Sequence, residues 1–261
     1  MLPSALEHVQ KIAGAGDRSL AIFLDYDGTL TPIVSHPEKA FLSDSTRQTL
    51  RTLATQAPVA ILSGRELEDV RKRVAIDGIV YAGSHGFDIA GPRRLRRQEA
   101  IEFLPALDVA EKELREKLTG IAGALIERKR FSIATHYRKV NENDFPKLER
   151  AVSEVVAQHR ELRRMEGKKV YELLPCTDWD KGKAVLWLLE RLGLERAGAR
   201  PIYIGDDRTD EDAFRVLQQR GVGIVVSEEP RATAANYSLK GPTEVERFLR
   251  ELGAAAVAGG R

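Results

Sequence analysis

Two carboxylates, Asp25 and Asp27, stand one residue apart directly after the apolar run at residues 20–24. Two anions held this close repel each other unless a cation or a shared proton relieves them. A nucleophile and a general acid that work around a divalent metal would explain why the chain keeps both acids. The alternative is a pair of loop acids that cap a following helix. The chemical interpretation is favoured because further polar groups follow other strand-like runs of the chain.

Polar side chains follow three more apolar runs, at residues 59–62, 79–82 and 201–204. In open α/β sheets ligands bind beyond the carboxyl ends of the strands, so we expect these side chains to meet at one edge. They are Ser63 and Arg65 after the second run, His85 after the third, and Asp206, Asp207 and Asp210 after the fourth, with Lys181 opening a helix just upstream.

The residue types give each group a role in phosphoryl transfer. Asp25 and Asp206 can each give Mg²⁺ one hard oxygen ligand, and the backbone carbonyl of Asp27 and waters can complete the coordination. The other oxygen of Asp25 can attack phosphorus to form an aspartyl phosphate, while Asp27 protonates the leaving oxygen and later deprotonates the attacking water. Ser63 can donate a hydrogen bond to a phosphoryl oxygen, and Lys181 supplies positive charge during transfer.

Two more acids, Asp207 and Asp210, are expected to orient metal-bound water or the lysine. Each group also has a plainer interpretation when it is taken alone. Ser63 is typical of a helix N-cap, Lys181 of a solvated helix residue, and acids at residues 206–212 favour a helix N-terminus. The occurrence of all these groups in this order favours the chemical interpretation.

Apolar runs and the helical patterns between them predict a doubly wound α/β fold. Five runs are apolar throughout rather than alternating, as in a parallel sheet that is buried on both faces: residues 20–24, 59–62, 79–82, 201–204 and 223–226. Helical patterns occur at residues 44–54, 66–73 and 211–219. The tail at residues 253–261 is rich in small residues and is expected to fray.

The middle of the chain predicts an inserted α-β-β-α-β-β block. Helical patterns occur at residues 105–118 and 142–159, and strand patterns at residues 124–129, 131–138, 162–165 and 169–173. We therefore expect a Rossmann-like parallel-sheet core built from residues 1–103 and 177–261, with a smaller α/β cap domain at residues 104–176.

Composition and charge exclude several classes of protein. The 261 residues carry a net charge of +2, and the basic run at residues 93–97 has no interleaved aromatic residue, so we expect a solvated linker and no nucleic-acid partner. One cysteine, Cys176, excludes an internal disulfide and a multi-cysteine zinc site. No apolar run approaches membrane-spanning length and the first residues do not resemble a signal peptide, so we expect a cytoplasmic protein without a membrane partner.

The ordered motifs resemble those of the haloacid dehalogenase-like phosphotransferases: DxDGT, a serine after the second strand, a lysine, and GDDxxD. A closer similarity extends along nearly the whole chain. The segments DYDGTLTPI, LSGR, AGSHG, ERKRFSIATHYR, KVYELLP, DKG and YIGDDRTDEDAF resemble the trehalose-6-phosphate phosphatase family. The resemblance implies Mg²⁺-dependent hydrolysis of trehalose 6-phosphate, a small-molecule sugar phosphate, and a cap domain that closes over the sugar.

The resemblance also implies which residues bind the substrate. They are Glu127, Lys129, Arg138, Lys168 and Glu172 in the cap, and Arg65 and His85 in the core. Carboxylates and cationic donors hydrogen-bond sugar hydroxyls well, although an exposed face of a charged sheet is the alternative. Glu127 and Lys129 share one face of a strand, whereas an odd separation keeps Arg138 from aligning with them unless the intervening turn changes the register.

Two other functions stay open on the sequence alone. Phosphatases for other sugars, such as sucrose phosphate or mannosylglycerate phosphate, share the core and differ in the cap. A non-catalytic sugar-phosphate sensor is the alternative from another class, and the retention of both Asp25 and Asp27 argues against it. We also expect a monomer and, from the family alone, a functional link to the trehalose-6-phosphate synthase that makes the substrate.

Overall fold

The computed structural model describes residues 2–14, 19–34, 37–167 and 169–259. Its strands are β1 (Leu20–Asp25), β2 (Val59–Leu62), β3 (Val80–Gly83), β4 (Asp88–Ala90), β5 (Arg96–Gln98), β6 (Leu125–Lys129), β7 (Ser132–His136), β8 (Leu162–Gly167), β9 (Val170–Pro175), β10 (Arg200–Gly205), β11 (Val222–Val226) and β12 (Tyr237–Leu239). Its α-helices are α1 (Val9–Ala13), α2 (Asp44–Ala54), α3 (Leu67–Val74), α4 (Leu104–Lys117), α5 (Phe145–Gln158), α6 (Lys181–Arg191), α7 (Asp210–Leu217) and α8 (Pro242–Gly259). The chain divides into two compact units: the first unit is Met1–Arg97 with Trp179–Arg261, and the second unit is Gln98–Asp178.

One sheet organises the first unit, with the strand order β12-β11-β10-β1-β2-β3-β4-β5. The strands from β12 to β3 pair in parallel, and β4 pairs antiparallel with β3. All residues of β1 are buried because both faces of the sheet are covered. Ile22 and Leu24 pack with α1, α2, α3 and α8 on one face, and Ala21 and Phe23 pack with α6 and α7 on the other. The predicted doubly wound α/β fold is therefore confirmed.

The sequence does not predict the last strand and the last helix of the sheet domain. β12 has only three residues, which is too short for a pattern to be read. α8 extends through Gly259 and buries Ala255 against the core, so the expectation of a frayed tail is wrong over residues 253–259. Within the described ranges, neither α8 nor any other helix is long and apolar enough to cross a membrane.

The basic run at residues 93–97 is exposed to solvent only in part. The guanidinium of Arg97 lies over the rings of Trp179 and Trp187, at 4.6 and 4.9 Å from the ring centroids. Both indoles come from a distant part of the sequence, so the local composition of the run gives no sign of them. The interpretation as a solvated linker is therefore wrong for Arg97.

An antiparallel sheet in the order β6-β7-β9-β8 forms the second unit, with α4 and α5 packed on one side. Directly opposite residues of an antiparallel pair lie on the same face. Ile133 pairs with Leu173, and both are buried under the helices. The other side carries a row of polar side chains, which we call the polar face: Glu127, Lys129, Ser132, His136 and Glu172. The limits predicted for the cap, residues 104–176, lie inside this unit and stay a prediction.

Candidate active site

Strand ends and helix starts bring the candidate core residues to one edge of the sheet. Asp25 is the last residue of β1, Ser63 follows β2, and Asp206 follows β10. These three strands are parallel neighbours, so their carboxyl ends lie side by side. Lys181 and Asp210 are the first residues of α6 and α7. This is the edge at which open α/β sheets bind ligands.

The loop after β1 brings Gly28 against the carboxylate of Asp206. Gly28 has a φ of +89°, and a Cβ at this position would collide with the Asp206 side chain. The Thr29 hydroxyl lies 3.4 Å from Oδ1 of Asp206, and the N–H of Gly28 donates to the carbonyl of Thr31 at 2.7 Å. Only glycine combines this backbone angle with so close an approach, so the GT of the DxDGT motif shapes the acid site.

A buried lysine joins two of the acids. The ammonium of Lys181 donates to Oδ1 of Asp25 and to Oδ1 of Asp210, each at 2.7 Å. The hydroxyl of Tyr203 also donates to Oδ1 of Asp210 at 2.7 Å, and the N–H of Asp207 donates to its Oδ2 at 2.8 Å. Lys181 is 2% exposed, so the two carboxylates compensate for its lost hydration.

Negative charge in this cluster exceeds what the lysine neutralises. Burial raises the pKa of the Asp25 carboxyl well above its ordinary value, although Lys181 opposes the shift. Repulsion from Asp210 and Asp206 raises it further. Burial also raises the pKa of Asp206 to about 7, and repulsion from Asp210 and Asp207 acts in the same direction. Carboxyls crowded in this way are relieved by a further cation.

Three of the acids can offer oxygens to one metal ion. Asp25, Asp206 and Asp210 each present a carboxylate oxygen, and these atoms lie within 4.8 Å of one another. Both oxygens of Asp210 already accept hydrogen bonds, one from the lysine and the tyrosine and the other from a backbone N–H. Asp25 and Asp206 are therefore the carboxylates best suited to bind a metal directly, and their hard oxygens fit a divalent cation.

An arginine holds the candidate general acid. The Nε and Nη2 of Arg65 donate to the two carboxylate oxygens of Asp27, each at 2.7 Å. Its Nη1 donates to Asp69 at 2.9 Å, and Asp69 also accepts a hydrogen bond from Arg73 at 2.8 Å. Such a bidentate pair fixes the direction of the Asp27 carboxylate. Arg65 is expected from the sequence to bind the substrate, whereas its guanidinium here contacts Asp27 and Asp69.

Ser63 and His85 lie beside each other at the ends of β2 and β3. The N–H of His85 donates to the carbonyl of Ser63 at 2.8 Å, and the N–H of Arg65 donates to the Ser63 hydroxyl at 3.1 Å. The imidazole of His85 packs on Gly64, where a Cβ would lie 2.7 Å from Cε1. Both side chains are therefore fixed by the backbone of the strand ends next to Asp25.

Paired charges cover the polar face of the second unit. Lys129 donates to Oε1 of Glu172 at 3.0 Å, and the Ser132 hydroxyl donates to the same oxygen at 2.6 Å. Oε2 of Glu127 lies 3.0 Å from Nε2 of His136, and this hydrogen bond lowers the pKa of Glu127. Alternating carboxylates and donors suit a ligand that is rich in hydroxyl groups.

One candidate cap residue, Arg138, lies apart from this face, and another falls outside the described residues. Arg138 is exposed in a turn beyond the end of β7, and Lys168 lies outside the described residues. The hairpin turn pairs Lys129 with Ser132, so the register does change there and puts His136 on the face of Lys129. The structure thus brings together Glu127, Lys129 and Glu172 but not Arg138.

Sequence reasoning misses Ser132, His136 and Tyr203. Tyr203 lies inside an apolar strand, where it is indistinguishable from an ordinary core residue. His136 belongs to the segment ERKRFSIATHYR, but only the observed register shows that it faces Glu127. The alternation of side chains within the hairpin could have identified Ser132 and His136 once the turn length was known.

The fold of this chain is shared with solved structures. A haloacid dehalogenase-like hydrolase from Bacteroides thetaiotaomicron has a similar fold, with a TM-score of 0.65 at 18% identity over 90% of this chain and 99% of that chain. The two chains therefore have the same doubly wound core.

A family model described as trehalose-phosphatase matches residues 23–243, and the chain belongs to that family. Trehalose-phosphate phosphatase B of Arabidopsis thaliana is 43% identical over 264 residues, which cover 96% of this chain and 71% of that protein. The C-terminal domain of C. albicans trehalose-6-phosphate phosphatase has a similar fold, with a TM-score of 0.80 at 24% identity over 97% of this chain and 98% of that chain. The cluster of Asp25, Asp206 and Asp210 fits a divalent metal.

Proposed function

We propose that this enzyme hydrolyses trehalose 6-phosphate to trehalose and phosphate, with Mg²⁺ as the metal and Asp25 as the nucleophile. The observation that carries the proposal is the buried contact of Lys181 with Asp25 and Asp210 beside Asp206. The site belongs to a chain of the trehalose-phosphatase family, and that membership supports the choice of sugar.

Asp25 would act in the first half-reaction. One of its oxygens attacks phosphorus, the bond between phosphorus and the sugar oxygen breaks, and the carboxyl group becomes an aspartyl phosphate. Asp27 gives its proton to the sugar oxygen, so that trehalose leaves as an alcohol. The ammonium of Lys181 stabilises the charge on the transferring group, and Ser63 donates a hydrogen bond to it.

Water would complete the cycle in the second half-reaction. The Asp27 carboxylate takes a proton from water while the water oxygen attacks phosphorus, and the bond from phosphorus to the Asp25 oxygen breaks. Phosphate leaves, and both acids return to their starting states. Mg²⁺, held by Asp25, Asp206 and the backbone carbonyl of Asp27, would supply a Lewis acid that neutralises phosphoryl charge. Asp210 and Asp207 would hold the lysine and the acidic loop in place.

Sugar recognition would belong to the polar face of the second unit. Its carboxylates and donors match a disaccharide that presents many hydroxyl groups. We propose that Arg138 and Lys168 add donors to Glu127, Lys129 and Glu172, and that His85 contacts the phosphate end of the substrate. Another sugar phosphate, such as sucrose phosphate, is the competing substrate.

A phosphate-release assay over several sugar phosphates tests the proposal. With Mg²⁺ present, kcat/KM for trehalose 6-phosphate should exceed that for glucose 6-phosphate and sucrose phosphate, and chelation of the metal should abolish turnover. Asp25→Asn should lower kcat by on the order of a thousandfold or more, because the nucleophile is lost. Asp88→Asn is the matched control, since Asp88 is a buried acid of the same unit that pairs with Arg96.

Two outcomes would contradict this assignment. Equal kcat/KM for trehalose 6-phosphate and glucose 6-phosphate would show that trehalose 6-phosphate is not the preferred substrate. Wild-type rates in Asp25→Asn would show that the reaction does not pass through an aspartyl phosphate at Asp25. Binding of trehalose 6-phosphate without any turnover would instead support a sensor. The expected monomer is checked by light scattering, and the expected link to a trehalose-6-phosphate synthase by coupling the two reactions in one vessel.

A further inference from the structure

One tryptophan connects a strand end of the candidate active site to a helix start. The indole Nε1 of Trp179 donates to the carbonyl of Gly86 at 2.9 Å. Gly86 ends the short turn that carries His85 after β3, whereas Trp179 lies two residues before Lys181, at the start of α6. Between them, Asp180 caps α6 by accepting a hydrogen bond from the N–H of Lys183 at 2.8 Å. Trp179 thus fastens the turn that bears His85 to the helix that begins with Lys181.

The turn that Trp179 contacts has an unusual backbone. Ser84, His85 and Gly86 have φ values of +49°, +58° and +93°. A side chain other than glycine pays for a left-handed conformation, so two such residues in succession persist only when neighbouring contacts hold them. The N–H of Ser84 donates to the carbonyl of Arg65 at 2.6 Å and the N–H of His85 to Ser63, which secures one side of the turn.

Trp179 secures the other side of this turn. A Cβ on Gly86 would lie 2.8 Å from the Cβ of Ala184 and 3.5 Å from Nε1 of Trp179, so the turn packs directly against α6 and the indole. Left-handed backbone at a strand end next to reacting groups is typical of functional sites, where it aims a side chain.

Arg97 fixes the plane of the Trp179 indole. Its guanidinium lies over Trp179 at 4.6 Å and over Trp187 of α6 at 4.9 Å. Arg97 and Trp179 are also the residues at which the chain leaves the first unit and returns to it. A cation stacked on two indoles holds both in place, so the N–H of Trp179 stays directed at Gly86.

We propose that Trp179 is a positioning residue for the candidate active site. It holds the turn at residues 84–86 in a fixed position relative to the start of α6. The inference rests on the proposed phosphatase function, because it takes His85 and Lys181 as groups that face the phosphate. The indole N–H is the part of Trp179 that matters, since it alone donates to the turn. Loss of that donor lets the turn relax from its left-handed conformation and moves His85 relative to Lys181.

Trp179→Phe and Trp187→Phe form a matched pair for the test. Each removes one indole N–H and keeps an aromatic ring against Arg97. Only Trp179 donates to the turn; in the part of the chain that the structure describes, the N–H of Trp187 has no acceptor. A general loss of packing would affect both variants alike, whereas a positioning role affects Trp179→Phe alone.

Amide hydrogen exchange gives a readout that does not depend on activity. The amides of His85 and Phe87 donate within and beside the turn, so they should exchange at least about fivefold faster in Trp179→Phe, the factor expected for one lost hydrogen bond. Trp187→Phe should leave them unchanged. Equal exchange in the two variants would overturn the proposal.

Kinetics then test whether the turn matters for phosphate. Trp179→Phe should lower kcat/KM by about fivefold or more for trehalose 6-phosphate and equally for p-nitrophenyl phosphate, because the phosphate and not the sugar is affected. His85→Asn keeps a residue that tolerates the left-handed backbone. In that background the additional effect of Trp179→Phe should largely disappear, as expected for residues that act through one another.

The two failures can be told apart. Normal wild-type turnover with equal kcat/KM in Trp179→Phe and Trp187→Phe would overturn the positioning role and leave the phosphatase function intact. A wild-type chain that turns over no phosphate ester would overturn the proposed function. In that case the affinity for inorganic phosphate, measured by calorimetry in both variants, decides the positioning role: a weaker affinity in Trp179→Phe alone supports it, and equal affinities reject it.

Discussion

Charged side chains of the candidate active site pair with one another rather than with solvent. Lys181 contacts two carboxylates, and Arg65 spans Asp27 and Asp69. A buried charge that loses its partner is left uncompensated, so substitutions here act on their neighbours as much as on themselves. For Asp27 the partner sets the orientation of the carboxylate, because Arg65 holds both of its oxygens.

Substitution of Arg65 therefore tests the orientation of Asp27. A lysine keeps the positive charge but cannot make the bidentate contact, so Arg65→Lys should lower kcat by about tenfold or more. KM should change less, because the substrate-facing groups remain. Arg47→Lys is the control, since Arg47 also bridges two elements, through the carbonyls of Arg73 and Val74, and pairs with Asp44 rather than Asp27. Rate measurements with trehalose 6-phosphate in which both variants match the wild type would contradict the assignment.

His136 offers a second test at this scale. Its hydrogen bond lowers the pKa of Glu127, which keeps that carboxylate ionised and aligned for sugar hydroxyls. His136→Gln should raise KM for trehalose 6-phosphate about fivefold while leaving p-nitrophenyl phosphate unaffected. His159→Gln is the control, because His159 pairs with Glu113 in the same unit at 3.1 Å, away from the polar face. A KM change in both variants, or on both substrates, would show that His136 does not act on the sugar.

Secondary-structure elements differ in how far the sequence predicts them. Five of the six parallel strands that the structure describes contain runs that are apolar throughout, and burial on both faces of the sheet accounts for such runs. The polar face is harder to predict from the sequence, because the turn after Lys129 changes the alternation of side chains. Only the fold shows that His136 lies opposite Leu125. Arg97 and its two tryptophans meet through tertiary packing alone, which no local pattern encodes. Long-range register and stacking therefore account for what the sequence leaves out.

The final helix gives a stability test of this point. Leu252 of α8 is fully buried in the core and stands directly before the small residues that suggest a frayed tail. Leu252→Ala should lower the free energy of unfolding by ~2–5 kcal/mol, as expected for a truncated core leucine. Val257→Ala, on an exposed position of the same helix, should cost less than about 1 kcal/mol. Denaturant unfolding measures both, and equal small losses would show that α8 does not pack against the core at Leu252.

At the scale of the whole molecule, the acid cluster and the polar face belong to different compact units. The acid cluster lies on strand ends of the first unit, which has a hydrophobic core on each face of its sheet. The polar face belongs to the second unit, which has a core of its own. Metal and sugar should therefore each stabilise the unit that binds it, because a ligand stabilises the state to which it binds.

Hydrogen exchange with separate ligands can resolve this division. Mg²⁺ with inorganic phosphate should slow exchange at the ends of β1 and β10 and at the start of α6, since the metal neutralises the crowded acids there. Trehalose alone should slow exchange in β6, β7 and β9, with little effect on the acid site. Asp206→Asn should remove the response to Mg²⁺ and keep the response to trehalose, because it takes one metal oxygen from the first unit only. If trehalose protects the strand ends of the first unit as strongly as the polar face, sugar recognition is shared between the units, and the assignment of specificity to the second unit fails.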